Sequence, residues 1–284
     1  MREAKFAGMF YEKLESQLNK QIETCFTGER GPGALPNQKI KEPLQAVITP
    51  HAGYVYSGSC AAWSYKAIAE SDFPDLFILV GPSHHYDKSG FSMETFETPF
   101  GMVRVHQDFA RKLSEKGHIK QNELIHEREH SLEVQMPFLQ FVFKKKLEKI
   151  RILPILLSQD TDLNELAIDI KETLVETGLK ATFIISSDFT HFGPNYHYVP
   201  FSKDVKQNIY DLDGEAINYI KQLDSNGFLK YIEEKFATIC GALPIALLLR
   251  LIRSDKVLLE QYYTSGDIVG DYRNSVSYAS IIFR

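Results

Sequence analysis

The chain has 284 residues, of which 44% are hydrophobic and 24% charged, with 32 Lys and Arg against 37 Asp and Glu. This balance excludes a disordered, collagen-like or coiled-coil protein, and the net charge of −5 gives no support to a nucleic-acid-binding surface. Three widely spaced cysteines cannot build a disulfide framework or a CxxC zinc site. Since neither a signal peptide nor an apolar stretch of about 20 residues is evident, we expect a cytoplasmic protein without membrane or nucleic-acid partners.

Short apolar runs alternate with longer amphipathic stretches along the chain. Leu14, Leu18, Ile22 and Phe26 recur every four residues and indicate an early helix. Buried strands are predicted at 46–49, 76–80, 150–157, 181–186 and 276–283, and helices at 59–70, 131–143, 162–177, 204–222 and 241–253. Residues 91–105 alternate around a Pro/Gly turn and predict a hairpin appended to the sheet.

This alternation is typical of the α/β class. Strands that are apolar throughout are buried on both faces, so we expect a three-layer sandwich with helices covering a largely parallel or mixed central sheet. No Pro/Gly/Ser-rich linker divides the sequence, and no internal repeat is evident. We therefore expect a single domain over residues 1–284.

Polar side chains follow three of the predicted strands directly. They are, in chain order, His51, His84 with His85, and Asp188 with His191. Ligands bind open α/β sheets beyond the carboxyl ends of the strands, so we expect these side chains to converge at one edge. Because neutral imidazole is a common ligand of transition metals, this edge is the candidate site.

Cys240 is the cysteine best placed for chemistry, because it stands just before the predicted helix at 241–253. A helix dipole favours the thiolate at its N-terminus, which suits either a metal ligand or a nucleophile. Cys25 and Cys60 are interpreted as small buried hydrophobes.

Two polar clusters carry alternative interpretations. Asp188 and His191 are three residues apart. They fit an acid/base pair or outer partners of a metal, or else Asp188 is a helix N-cap and His191 has no role in the site. His130 lies in the polar segment 129–133, which is either a capping segment or a wall of the pocket. Phosphate-loop, HExxH and GxSxG motifs are missing, which disfavours nucleotide-binding and serine-hydrolase functions.

Taken in order, these motifs resemble the Memo family (mediator of ErbB2-driven cell motility), which has bacterial and archaeal members. The resemblance runs the whole length, through segments 6–11, 50–62, 81–85, 129–133, 186–191, 238–241 and 275–279. It implies a fold similar to that of class III extradiol dioxygenases, with a pocket at one edge of the sheet.

The resemblance also implies a set of site residues. Carried over by motif, the metal ligands would be His51, His84 and Cys240, and the catalytic residues lining the same pocket would be Asp188, His191 and His130. Iron, as Fe²⁺, is the expected cofactor, and a thiolate with two imidazoles would also admit copper or zinc. The dioxygenases have a carboxylate where Cys240 stands, so their reaction does not transfer directly.

Three functions stay open on the sequence. The first is a metal-binding, oxidoreductase-like or oxygenase-like protein of unknown substrate, in which His191 handles protons and Asp188 fixes its tautomer. The second is a non-catalytic module that keeps the pocket and binds a peptide or protein. The third is a metal-free Cys/His hydrolase that uses Cys240 as its nucleophile.

Partners follow from the resemblance alone. Animal members are described as binding phosphotyrosine peptides, but Phe10 and Phe192 stand where those proteins have tryptophan. Ala242-Leu243 replaces their basic Arg-His pair, which removes natural partners for a phosphate. Prokaryotic members often occur beside radical-SAM and AMMECR-type proteins, which implies a functional link, with a small molecule or peptide as the ligand.

Overall fold

The structure, a computed structural model, describes residues 1–39 and 41–284. Its helices are α1 (Glu15–Thr27), α2 (Tyr54–Ala69), α3 (Gln107–Lys116), α4 (Glu123–His126), α5 (Gln135–Val142), α6 (Leu163–Thr177), α7 (Val205–Lys221), α8 (Ser225–Lys235), α9 (Ala242–Leu251) and α10 (Ser265–Val269). Its strands are β1 (Ala46–Thr49), β2 (Leu76–Pro82), β3 (Gly90–Phe91), β4 (Phe96–Thr98), β5 (Gly101–Val105), β6 (Arg151–Leu157), β7 (Ala181–Ser186), β8 (His191–Phe192), β9 (Val257–Thr264) and β10 (Ser275–Phe283). Short 3₁₀ turns occur at Lys144–Lys149 and Pro194–Tyr196.

The strands form one mixed sheet in the order β4-β5-β6-β2-β7-β1-β10-β8, with β3 added on β6 and β9 on β10. Five consecutive strands of this order are parallel to one another, namely β5, β6, β2, β7 and β1. Strand β10 pairs antiparallel with β1, β8 and β9, and β4 with β5 forms the predicted hairpin. The α/β class with a mixed central sheet is confirmed.

Helices cover both faces of this sheet. Helices α1, α2 and α5 pack together on one face, where α2 contacts β1, β9 and β10. Helix α9 lies on the other face against β2 and β7, with α6 and α8 beside it. The strand interiors between these layers are fully buried, as at Val47, Ile78 and Ile184. This burial on both faces explains why the strands are apolar throughout. Within the described residues, no helix has the length and apolar character needed to cross a bilayer.

Parallel register brings the carboxyl ends of the central strands to one edge. Thr49 at the end of β1 lies opposite Ser186 at the end of β7, and Val80 of β2 lies opposite Ile185. The turns after these strands therefore meet beyond the same edge of the sheet. A fourth segment, residues 127–134, joins them there from the turn before α5.

Two boundaries near this edge differ from the prediction. Helix α2 begins at Tyr54 rather than at residue 59, directly after the turn that carries His51. Helix α5 begins at Gln135 rather than at residue 131, because the buried Glu129 and Glu133 side chains hold the preceding residues as turns through contacts with other segments. Segment 129–133 therefore forms the turn before α5, in which Glu129 Oε1 accepts from the Ser131 N–H at 2.9 Å.

Candidate metal centre

His51 follows β1 and is 2% exposed. Its backbone N–H donates to Asp188 Oδ1 at 2.8 Å, and its Nδ1 lies 2.9 Å from Ser186 Oγ. The hydroxyl of Ser186 donates its one hydrogen to the carbonyl of Ser131 at 2.6 Å, so it must accept from His51 Nδ1. The Nε2 atom of His51 therefore carries the lone pair, which is directed away from this network.

A buried polar network fixes the Ser186 hydroxyl in turn. Gln135 Nε2 donates to Ser186 Oγ and to the Pro50 carbonyl, both at 2.9 Å. Tyr65 donates from its hydroxyl to Gln135 Oε1 at 2.9 Å. Because each of these polar atoms has a partner, the network is stable within the core and holds the His51 ring in one orientation.

His84 follows β2 and is held by Glu129. The backbone N–H of His84 donates to Glu129 Oε2 at 2.7 Å, and its Nδ1 lies 2.9 Å from Oε1. Although burial alone would raise it, hydrogen bonds from His84 and Ser131 hold the pKa of Glu129 well below its usual range. Since a carboxylate can only accept, His84 carries a hydrogen on Nδ1, and the neutral form of the ring presents the lone pair of Nε2. Carboxylate–histidine pairs of this kind orient metal-ligating imidazoles.

His130 completes a cluster of three imidazoles. One ligand atom from each of His51, His84 and His130 lies within 4.8 Å of the other two. The His130 ring stacks on the His84 ring with 4.8 Å between centroids, and the His51 ring stands nearly perpendicular to both at 5.3 Å. Three imidazoles from three separate segments thus converge on one point.

The electrostatic setting keeps this cluster suited to a cation. Burial lowers the pKa of His51 well below its usual value, and burial together with His51 lowers the pKa of His130 to about 3. Both rings are therefore neutral at physiological pH, which is the form that binds a metal. A cluster of three imidazoles, of which His51 and His84 are oriented by a partner at Nδ1, fits a divalent transition-metal ion such as Fe²⁺, Cu²⁺ or Zn²⁺.

Cys240 adjoins the cluster through His51. Its Sγ lies 3.2 Å from His51 Nε2 and accepts a hydrogen bond from the Asp188 N–H at 3.2 Å. Burial, reinforced by Asp188, raises the pKa of this thiol well above its usual value, so it is a neutral S–H group with two acceptors in reach, His51 Nε2 at 3.2 Å and the Asp188 carbonyl at 3.4 Å. Of the predicted ligands, His51 and His84 thus lie in the cluster of three imidazoles, and Cys240 contacts its edge. His130, expected among the catalytic residues, occupies the third position.

Asp188 and His191 lie on the turn after β7. The His191 Nδ1 atom is 3.0 Å from the Thr238 carbonyl, which only accepts, so the hydrogen is on Nδ1 and Nε2 can act as a base. We expected Asp188 to select this tautomer. In the structure the Thr238 carbonyl selects this tautomer instead, because the Asp188 carboxylate accepts from the backbone N–H of His51. The chain continues from this turn into β8, so the helix-cap interpretation of Asp188 is wrong.

Other residues considered in the sequence do not belong to the cluster of three imidazoles. His85 is exposed on the turn after β2. Cys25 and Cys60 are buried at 5% and 0% exposure, as interpreted.

Four residues that orient the cluster were not predicted from the sequence. These are Glu129, Ser186, Gln135 and Tyr65. Gln135 offered a signal, because a fully buried helix that is otherwise almost entirely apolar contains amides whose hydrogen bonds must be satisfied inside the protein.

The class of protein is defined first by the fold. An uncharacterised protein of Escherichia coli K12, whose crystal structure is known, superposes with a TM-score of 0.53 over 85% of this chain and 100% of its own at 11% identity. At this identity the similarity shows a shared fold.

Sequence comparison then identifies the family. The family described as Memo-like protein matches residues 2–282. MEMO1 family proteins of Methanopyrus kandleri and Pyrobaculum aerophilum are both 36% identical to this chain, covering 98% and 100% of it and 97% and 99% of their own lengths. A MEMO1 family protein of Methanothermobacter thermautotrophicus is 34% identical over 99% of each chain. The chain belongs to the Memo family, as its motifs predicted.

Proposed function

We propose that this chain is a metal-dependent, oxidoreductase-like protein whose cofactor is Fe²⁺. The observation that carries the proposal is the convergence of His51, His84 and His130 ligand atoms within 4.8 Å of one another. His51 and His84 are the proposed ligands common to every arrangement, and the third protein ligand is either His130 or Cys240. An Fe²⁺ ion held here would supply open positions for dioxygen or an oxygenated substrate.

The surrounding residues would each have a separate task. Ser186 and Glu129 keep hydrogens of His51 and His84 on Nδ1, so the lone pair that would bind a cation lies on Nε2 in each ring. Loss of the Cys240 proton would make Sγ available to a cation beside His51 Nε2, which lies 3.2 Å away. His191, oriented by Thr238, would accept a proton at Nε2 from a substrate in the pocket.

The raised pKa of Cys240 disfavours a metal-free hydrolase. A nucleophilic cysteine needs its thiolate, which a positive partner or a helix N-terminus stabilises. Here burial and the Asp188 carboxylate both favour the neutral thiol. A bound cation would reverse this balance, so the same thiol fits a ligand better than an unassisted nucleophile.

Anaerobic loading with Fe²⁺, followed by metal analysis, tests the proposal. We expect His51→Ala and His84→Ala each to lower iron affinity by about 10-fold or more, because each removes a ligand. The matched control is His118→Ala, since His118 is an exposed histidine whose Nδ1 lies 2.8 Å from Asp169 on α6. Equal iron content in wild type, His51→Ala and His84→Ala would overturn the metal assignment.

Two further variants identify the third ligand. If Cys240 binds the ion, Cys240→Ser will lose iron and His130→Ala will keep most of it. If His130 binds instead, the order will be reversed. Parallel loading with Cu²⁺ and Zn²⁺ tests the choice of iron, which would be wrong if the protein bound either of these ions and took up no Fe²⁺.

A further inference from the structure

The three imidazoles of the cluster are oriented in two different ways. His51 and His84 each have an Nδ1 partner at 2.9 Å. The Nδ1 atom of His130 lies 3.5 Å from the Glu129 carboxylate, which is beyond the range of a good hydrogen bond. The orientation of His130 must therefore come mainly from packing.

That packing is supplied by residues 2–11, which we call the strap. The Phe10 and Phe6 rings lie 4.6 and 5.7 Å from the His130 ring, measured between centroids. The strap is also fixed at its far end, since the Phe10 carbonyl accepts from the Tyr54 N–H at 2.8 Å at the start of α2. The strap thus forms a wall against which the His130 ring rests.

Glu133 joins the strap to the turn that carries His130. Its carboxylate is 1% exposed and accepts from the Phe6 N–H at 2.8 Å, from the Tyr11 hydroxyl at 2.9 Å and from the Lys5 N–H at 3.3 Å. One buried side chain therefore holds three points of the strap.

Arg2, at the start of the strap, contacts both Glu133 and the Glu129 backbone. The Arg2 residue is 6% exposed, and its guanidinium lies 3.2 Å from Glu133 Oε2. It also donates to the Glu129 carbonyl and packs over the Phe96 ring at 4.9 Å. A buried ion pair gains little net stability, because desolvation offsets the attraction, so its value here lies in the geometry that it fixes.

We infer that Arg2 and Glu133 are positioning residues of the metal centre, which clamp the strap against His130 and the Glu129 backbone. The clamp sets the position of the third imidazole without touching the ion. This inference rests on the proposed function for its effect on metal binding, but the clamp itself is a property of the metal-free protein.

Two readouts on the full-length protein separate these parts. In the metal-free protein, nuclear Overhauser contacts between the His130 ring and the Phe6 and Phe10 rings report the clamp directly. Titration with Co²⁺ reports metal affinity and, through its visible absorption, the coordination geometry. We expect Glu133→Gln to weaken the ring contacts, to lower Co²⁺ affinity by about 10-fold and to alter the Co²⁺ spectrum.

Milder and matched variants guard against general loss of structure. Glu133→Gln leaves the Arg2 guanidinium buried without a charged partner, so Tyr11→Phe, which removes one neutral donor, serves as the second test and should shift affinity a few-fold in the same direction. Asp224→Ala is the control. It removes the N-cap of α8, where Asp224 Oδ1 accepts from the Gly227 N–H at 2.8 Å, and should lower the melting temperature without changing Co²⁺ affinity or spectrum.

Each outcome decides a separate claim. Unchanged ring contacts, or unchanged Co²⁺ affinity, in folded Glu133→Gln and Tyr11→Phe would overturn the positioning role. A wild-type protein that binds no Co²⁺ or Fe²⁺ would overturn the proposed function. In that case, loss of the ring contacts in Glu133→Gln would still support the clamp.

Discussion

The interiors of β1, β2 and β7 and the turns around the carboxyl edge of the sheet, with the terminal Ser186 of β7 counted among the turns, are held by different forces. In the interiors, apolar side chains such as Ile48, Leu79 and Ile184 pack between two helical layers. In the turns, buried polar groups such as Ser186, Glu129 and Asp188 each have hydrogen-bond partners. Apolar packing tolerates exchange of similar side chains, whereas a polar network fails when one member is removed. Substitutions in the interiors should therefore change stability alone, and substitutions in the turns should change metal binding as well.

The largest effect on stability is expected in a strand interior. Ile184 is fully buried, opposite Val47 in β1 and Leu79 in β2. We expect Ile184→Ala to lower the free energy of unfolding by about 2–5 kcal/mol, because it removes buried methyl groups and leaves a cavity. Urea denaturation measures this loss, and Val175→Ala, at a side chain 83% exposed on α6, is the control. A weaker affinity for Fe²⁺ in the folded Ile184→Ala protein would contradict the separation of the two regions.

A smaller loss of stability, with a loss of metal binding, is expected at Ser186. Ser186→Ala takes away the acceptor of His51 Nδ1 and the donor to the Ser131 carbonyl, so buried polar atoms are left unpaired at a cost of about 1–3 kcal/mol. Because the His51 ring loses its oriented tautomer, iron affinity should fall by about 10–100-fold.

The matched control for this variant is another buried serine. Ser64 Oγ lies 2.7 Å from Ser280 Oγ and 3.1 Å from the Ile48 carbonyl, in the layer between α2 and the sheet. Ser64→Ala should cost similar stability and leave iron affinity unchanged. If both serine variants bound iron equally well, the orienting role of Ser186 would be wrong.

The same contrast explains what could be predicted from the sequence. The predicted bounds of the central strands agree with the structure, as at Ala46–Thr49 and Ala181–Ser186, because continuous apolar runs are typical of strands buried on both faces. The arrival of His51 and His84 at one edge followed from the parallel topology that these runs predicted. The motifs also placed the chain in its family over nearly its full length.

The partners of the site residues could not be predicted in this way. Glu129 is 45 residues from His84 in sequence, and the Gln135 contact to Ser186 spans 51 residues, so no local pattern relates them. The strand β9 (Val257–Thr264) was missed because six of its eight residues are only partly buried, which leaves no clear apolar run or alternation. Glu133 resembled a helix-capping residue in sequence, and only the fold shows that it binds the strap.

The smallest effect is expected from pH, and it arises in the turns because the interiors of β1, β2 and β7 contain no titratable side chain. His130 has a pKa near its usual 6.5 when unfolded and about 3 when folded, chiefly because burial disfavours the charged ring. Below about pH 6.5 the unfolded chain binds a proton that the folded chain does not, so stability is complete above that pH and is lost as the pH falls toward 3. At about pH 5 this term amounts to about 1–2 kcal/mol for His130, and His51, whose pKa is also lowered by burial, adds to it.

Urea denaturation of the metal-free protein at about pH 7.5 and about pH 5 measures the loss of stability, and His130→Gln should reduce that loss. A pH dependence that is the same in wild type and His130→Gln would show that the His130 ring is not held neutral by the fold, and the turns would then lose the property that suits them to a cation.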